Sequence, residues 1–169
     1  MQDCKPVLTP MEQNLKISKF EGGGKVDSTT YRQLIGSLIY LTTTRLDLSY
    51  SVSIISRFMQ EPLDIHWNAA KRVLRCIQGT KYFGLLYKKT KNFVLGGFSD
   101  VDFAGSIDDR ASTSGYLMNM GSAAVSWSYK KQATVATSSA EAEYISAWEA
   151  ACEIVWLRRV LQDLGIPLA

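Results

Sequence analysis

The chain has 169 residues, 46% of them hydrophobic and 21% charged, with a net charge of +3. This balance fits one ordinary globular domain or two small ones and excludes a disordered tail. The mild basicity is compatible with a polyanion partner without demanding one. Cys4, Cys76 and Cys152 are too widely spaced for a disulfide framework or a zinc pair, and read as the reduced thiols of an intracellular chain. No basic-then-apolar leader opens the sequence, and no apolar run reaches the roughly 18 residues of a membrane span, so no membrane partner is expected. His66 is the only histidine, so any histidine-based triad or zinc site would rest on it alone.

In chain order, residues 1–27 read as irregular, broken by Pro6 and Pro10, with FEGGGKVD a flexible loop. DSTTYRQLIGSLIYL opens a helix that Asp27 or Ser28 can cap, with Leu34, Ile35, Leu38 and Ile39 as its apolar stripe. LDLSYSVSIISRFM predicts a second helix ended by Pro62, and HWNAAKRVLRCIQ a third closed by Gly79. His66, at the start of that third helix, reads as structural or surface. Beyond residue 80 the texture turns to β: YFGLLYKK and FVLGGFSDVDF, separated by TKN, predict a hairpin, and STSGYLMNMG and AAVSWSYKK continue as strands about Gly121. A last helix runs through SSAEAEYISAWEAACEIVWLRRVLQDLG, with Tyr144, Ala147, Ala151, Ile154, Leu157 and Leu161 as its inward face. Trp127, Trp148 and Trp156 read as core.

The stretch GGFSDVDFAGSIDDR carries Asp100, Asp102, Asp108 and Asp109. Alternation along a strand puts Asp100 and Asp102 on one face and Val101 and Phe103 on the other. Two like charges so close repel unless a cation intervenes, and magnesium favours such oxygen ligands. The plainer reading ends a strand in an Asp-rich turn, and Asp108 and Asp109 suit a turn on either view. In the last helix, Glu141 completes a capping box with Ser138, while Glu143 lies beside the apolar stripe. Periodicity does not choose between them. Lys130 and Lys131 fall in an expected loop, where solvent is the default partner and a phosphate backbone the alternative.

Taken together, YRQLIGSLIYLTTTRLDLSYSVSIISRFMQEPLDIHWNAAKRVLRCIQGTKYFGLLY resembles the end of the reverse transcriptase region of copia-type retrotransposon polyproteins. The ordered series SDVD, STSGY, SW, KKQ, SSAEAEY and WL resembles the start of the ribonuclease H domain that follows it. The resemblance implies an α+β chain: a helical segment over 1–80, then over 81–169 an incomplete ribonuclease-H-like antiparallel sheet with one long helix. It also implies the chemistry of RNA–DNA hybrid cleavage by two magnesium ions about 4 Å apart. The family's first metal-binding aspartate falls on Asp100 and its helix glutamate on Glu143, leaving Asp102 and Glu141 secondary roles. Leu46 stands where the family has proline, Phe103 where it has tryptophan and Ala111 where it usually has lysine. The family's further acidic ligands have no counterpart in this sequence, so weak or absent magnesium binding and no cleavage by the chain alone are expected. A non-catalytic nucleic-acid-binding or protein-binding remnant is the alternative. The strand bearing Asp100 is expected to have an unpaired side, through which copies could associate.

Overall fold

A computed structural model describes residues 4–13, 15–20, 22–89 and 94–166. Among these residues the architecture is α+β, with four α-helices and one three-stranded antiparallel sheet. The chain forms two compact units, residues 1–84 with 106–108 and residues 85–105 with 109–169.

The first unit is built on α1 (Ser28–Leu41), α2 (Ser49–Ile55) and α3 (Asp64–Gly79). Asp27 caps α1, its carboxylate accepting from Thr30 N and Oγ1, both at 2.7 Å. The Thr30 hydroxyl and amide hold that carboxyl below its usual range. The core gathers Tyr31, Ile35 and Leu38 of α1 with Leu48, Val52 and Ile55, and with Ala70, Val73 and Cys76 of α3. Tyr31 replaces Ile39 in the buried stripe, Ile39 being exposed; its hydroxyl donates to Ile55 O at 2.8 Å.

The second predicted helix is not continuous. α2 is flanked by 3-10 turns at Leu46–Leu48 and Ser56–Phe58. Serine hydroxyls that bond nearby carbonyls compete with the helix, as Ser56 Oγ does with Ser53 O at 2.8 Å. The GGGKVD part of the expected flexible loop is tied down instead: Asp64 N donates to Gly24 O at 3.0 Å and Val26 N to Pro62 O at 3.0 Å.

Two buried polar residues pin this unit. Arg45 grips Asp47 in a two-pronged pair (2.9 and 2.8 Å) and donates to Thr80 O and Oγ1 at 3.0 and 2.7 Å, tying the turn before α2 to the end of α3. His66 is fully buried and stacked on Phe58, ring centroids 3.8 Å apart. Its Nδ1 accepts from Leu63 N at 3.0 Å, leaving Nε2 to donate to Ser18 O at 3.1 Å. The lone histidine is therefore structural, closing the open first turn of α3.

The second unit holds β1 (Leu95–Asp102), β2 (Thr113–Met120), β3 (Ala123–Lys131) and α4 (Ser139–Asp163), with sheet order β1-β2-β3. Gly121 supplies the left-handed φ of 65° at the β2–β3 turn. Gly165, at φ 69°, ends α4: Gly165 N donates to Gln162 O and Ile166 N to Leu161 O, both at 2.9 Å, a Schellman closure.

Three sequence expectations fail here, wholly or in part. Residues 83–89 of the expected first hairpin strand form no ladder. They are held by Tyr87 Oη to Ala124 O and Lys88 N to Ser122 Oγ, both 2.8 Å. The TKN turn lies outside the described residues. The inward face of α4 holds at Ile154 and Leu161 but differs at Tyr144, Ala147 and Ala151, which are exposed. Ala142, Ser146 and Ala150 are buried against the sheet, whereas Tyr144, Trp148 and Trp156 are 80%, 67% and 57% exposed. Small residues go inward because the sheet demands close approach: a Cβ on Gly97 would lie 2.6 Å from Ile154 Cδ1 and 2.7 Å from Met118 Sδ. Trp127 is half-buried rather than core.

Candidate functional site

The candidate site lies where β1 meets the first turns of α4. Gly97 is directed at Ile154, so the face carrying Gly97, Ser99 and Val101 is the one α4 covers. Asp100, three positions on, is directed to the other face. It pairs with Gly115, which pairs in turn with Tyr129, and a Cβ on Gly115 would lie 2.4 Å from the Tyr129 ring. Asp100 thus shares its face with Tyr129. Its carboxylate is exposed, and β1 has a neighbour on one side only among the described residues.

Glu143 is exposed on α4. It precedes Ile154 by eleven residues, which returns it to within about 20° of the same angle on the helix. Glu143 therefore sits on the β1 side of α4. Ser146 Oγ fixes the level, donating to Asp100 O at 2.8 Å with Gly115 O at 3.4 Å. Glu143 is one turn earlier, roughly 4.5 Å along the axis. The two carboxylates leave different sides of the strand.

Glu141 is occupied otherwise. Ser138 Oγ accepts from Glu141 N at 3.1 Å, while the Glu141 carboxylate accepts from Thr137 Oγ1 and Thr137 N at 2.7 Å each. These Thr137 bonds lower its pKa. A carboxyl depressed in the folded state adds stability above its unfolded value, about 4.3 for a glutamate, and loses it as the pH falls through the lower folded value. In an acid titration followed by far-UV circular dichroism, Glu141→Gln is expected to remove part of the loss of helix below about pH 4.3. An unchanged acid profile would refute this role.

The remaining candidates part company. Asp102 ends β1, packed where a Cβ on Gly105 would lie 2.0 Å from its carboxylate. Asp108 belongs to the first unit, accepting from Ser18 Oγ at 2.5 Å. Asp109 pairs with Lys131. Lys130 and Lys131 are not in a loop but at the end of β3, opposite Ser114 and Thr113, with Lys130 exposed. Among the described residues, no group of three His, Cys, Asp or Glu is placed to hold a metal ion.

The sequence reading passed over two positioning residues. Ser146 seats α4 on β1. Gln132, 3% exposed, donates from Nε2 to Ser114 Oγ at 2.9 Å and to Ala142 O at 3.0 Å, fixing the first turn of α4 over β2. The four-residue spacing of Ala142, Ser146 and Ala150 was the available signal, since small residues in that pattern mark close helix approach.

No protein-family model matches the chain, and no solved structure matches it. Curated relatives do. Over 169 residues it is 46% identical to the retrovirus-related Pol polyprotein from transposon RE2 of Arabidopsis thaliana, covering 100% of this chain and 12% of the relative. It is 40% identical over 173 residues to the corresponding polyprotein from transposon TNT 1-94 of Nicotiana tabacum, covering 98% of this chain and 13% of the relative. Over its whole length the chain is thus homologous to retrovirus-related Pol polyproteins of the copia type. It spans about an eighth of the length of those relatives, 12% and 13%. It is also 45% identical over 128 residues to secreted RxLR effector protein 161 of Plasmopara viticola, covering 75% of this chain and 90% of that protein. No described helix is long and apolar enough to cross a membrane.

Proposed function

We propose that this chain is a fragment of a retrotransposon reverse transcriptase and ribonuclease H, whose complete form cleaves the RNA strand of RNA–DNA hybrids. Asp100 and Glu143 are the carboxylates this segment contributes to the two-metal site. The observation that carries the reading is the similarity of the whole chain to retrovirus-related Pol polyproteins; both carboxylates are exposed, though they leave different sides of β1. In the complete enzyme, magnesium ions would activate the attacking water and stabilise the leaving oxygen.

The residues of this segment alone do not fit that metal pair. Asp100 is directed away from the α4 face, and no third metal-binding side chain joins the two carboxylates among the described residues. A two-metal clamp needs several ligands fixed on separate elements. The 169-residue chain is therefore expected to leave a labelled RNA–DNA hybrid intact in magnesium buffer. Turnover by the purified chain that Asp100→Asn abolishes would overturn this.

A second reading is favoured by one finding. The match to the Plasmopara viticola protein covers 90% of that relative, so there this segment makes up most of a protein. A non-catalytic binding role for the segment follows, with Lys130 as an exposed cation for a phosphate backbone. Hybrid binding without cleavage, weakening steeply with salt, would support it over the first.

A further inference from the structure

A cleft of about 520 Å³ lies within the first unit, between the N-terminal arm and α3. Ile65, Ala69, Arg72 and Arg75 recur every three or four residues, so one face of α3 forms a wall of it. The arm is tied in place. Arg75 Nε donates to Lys5 O at 2.8 Å, Val7 N to Arg75 O at 3.4 Å, and Leu15 N to Glu12 O at 3.2 Å. Leu15, Ile65 and Ala69 supply an apolar lining, while Lys71, Arg72 and Arg75 bring positive charge. Among the described residues lining the cleft, Glu12 alone is acidic. Its carboxylate accepts from Arg72 Nη1 at 2.9 Å, and Arg72 Nη2 donates to Thr9 Oγ1 at 3.2 Å. Arg72 Nε is buried with no acceptor among the described residues. An oxyanion thus already rests on this guanidinium, tethered by its own chain.

We propose that this cleft binds a small phosphate monoester with an apolar body, the phosphate taking the place of the Glu12 carboxylate on Arg72. Three cations lining a cleft with one carboxylate leave an excess of two positive charges. A phosphate monoester, carrying about −1.5 to −2 at pH 7, matches that excess. Guanidinium groups present a planar fork suited to phosphate oxygens. The apolar lining then covers the organic part, as in the usual small-molecule site, where a few convergent polar groups fix a ligand held by apolar walls. Glu12 is readily displaced, because its side chain is 62% exposed and exposed ion pairs contribute little. Lys71 is exposed, its ammonium 5.5 Å from the Trp67 ring centroid, so it adds to the field without a fixed contact. The assignment does not depend on the ribonuclease reading: the cleft includes neither Asp100 nor Glu143, and it is tested by binding rather than cleavage.

Titration of the intact, isotope-labelled chain with phenyl phosphate, followed by amide chemical shifts at fixed ionic strength and about pH 7.5, tests this. Saturable shifts at residues of the arm and α3 are expected, with a dissociation constant on the order of a millimolar. Arg72→Gln and Arg75→Gln should each weaken binding at least about fivefold, since each removes a charge-assisted contact. Glu12→Gln should tighten it about threefold or more by removing the tethered competitor. That gain of affinity is the decisive arm should an arginine variant disturb folding. Asp163→Asn makes the same change of charge at an exposed position in the second unit and should leave the affinity unaltered. Absence of saturable binding would overturn the proposal. So would inorganic phosphate binding as tightly as phenyl phosphate, since the apolar lining would then contribute nothing. An Asp163→Asn gain equal to that of Glu12→Gln would also overturn it, reducing the effect to net charge.

Discussion

Asp100→Asn and Glu143→Gln are each expected to cut hybrid cleavage at least about a hundredfold when this segment replaces the aligned stretch of a full-length Pol relative such as the RE2 polyprotein, 46% identical to it. Either change keeps the side chain's shape and removes the charge a metal ion would require. Both positions are exposed, and neither carboxylate has a hydrogen-bonding partner among the described residues, so folding should be little affected. Glu141→Gln is the internal contrast. Its carboxylate is spent on Thr137, so its effect should be small and appear as helix stability. The readout is release of labelled RNA from a hybrid in magnesium. A chimera that does not cleave, or one in which Glu141→Gln is as damaging as Glu143→Gln, would defeat the assignment.

The second large effect belongs to the helical unit. His66→Ala is expected to destabilise it by about 3–5 kcal/mol, because truncating a buried ring opens a cavity and strands two polar groups. Those groups are Leu63 N and Ser18 O, and the lost ring contact is with Phe58. His66→Asn should fall between: its side-chain oxygen can still accept from Leu63 N, but it reaches neither Ser18 nor Phe58. Urea unfolding, followed by a probe of the helices, measures both. An alanine variant within about 0.5 kcal/mol of the parent would show that the buried histidine matters little, as surface substitutions typically do.

How far the sequence could be read depended on the range of the interactions involved. Asp27 before α1, Gly121 between β2 and β3, and Gly165 after α4 were legible because capping and left-handed turns are settled by adjacent residues. YFGLLYKK was misread as a strand because a β-prone run becomes one only when a partner is supplied, and no described residue pairs with it in a ladder. The inward face of α4 was misjudged because the helix is apolar on opposite sides. Bulk pointed to Tyr144 and Trp148, but contact with Gly97 and the backbone at Asp100 selected Ala142, Ser146 and Ala150. For the carboxylates, alternation correctly separated Asp100 from Val101. It could not say which face α4 would cover, and therefore could not show that Asp100 and Glu143 leave different sides of β1.

The bare backbone at Gly97 acts as a spacer of zero thickness. Ile154 Cδ1 and Met118 Sδ rest where any larger residue on the strand would have to intrude; a single methyl group pushes those flexible side-chain ends aside, and a residue too large for them to clear would tilt the helix. Because α4 is one continuous rod from Ser139 to Asp163, a tilt at Ile154 is carried to the opposite end, where Glu143 rides. The gap between the two acidic groups is thus governed from a position that has no side chain and takes no part in any chemistry.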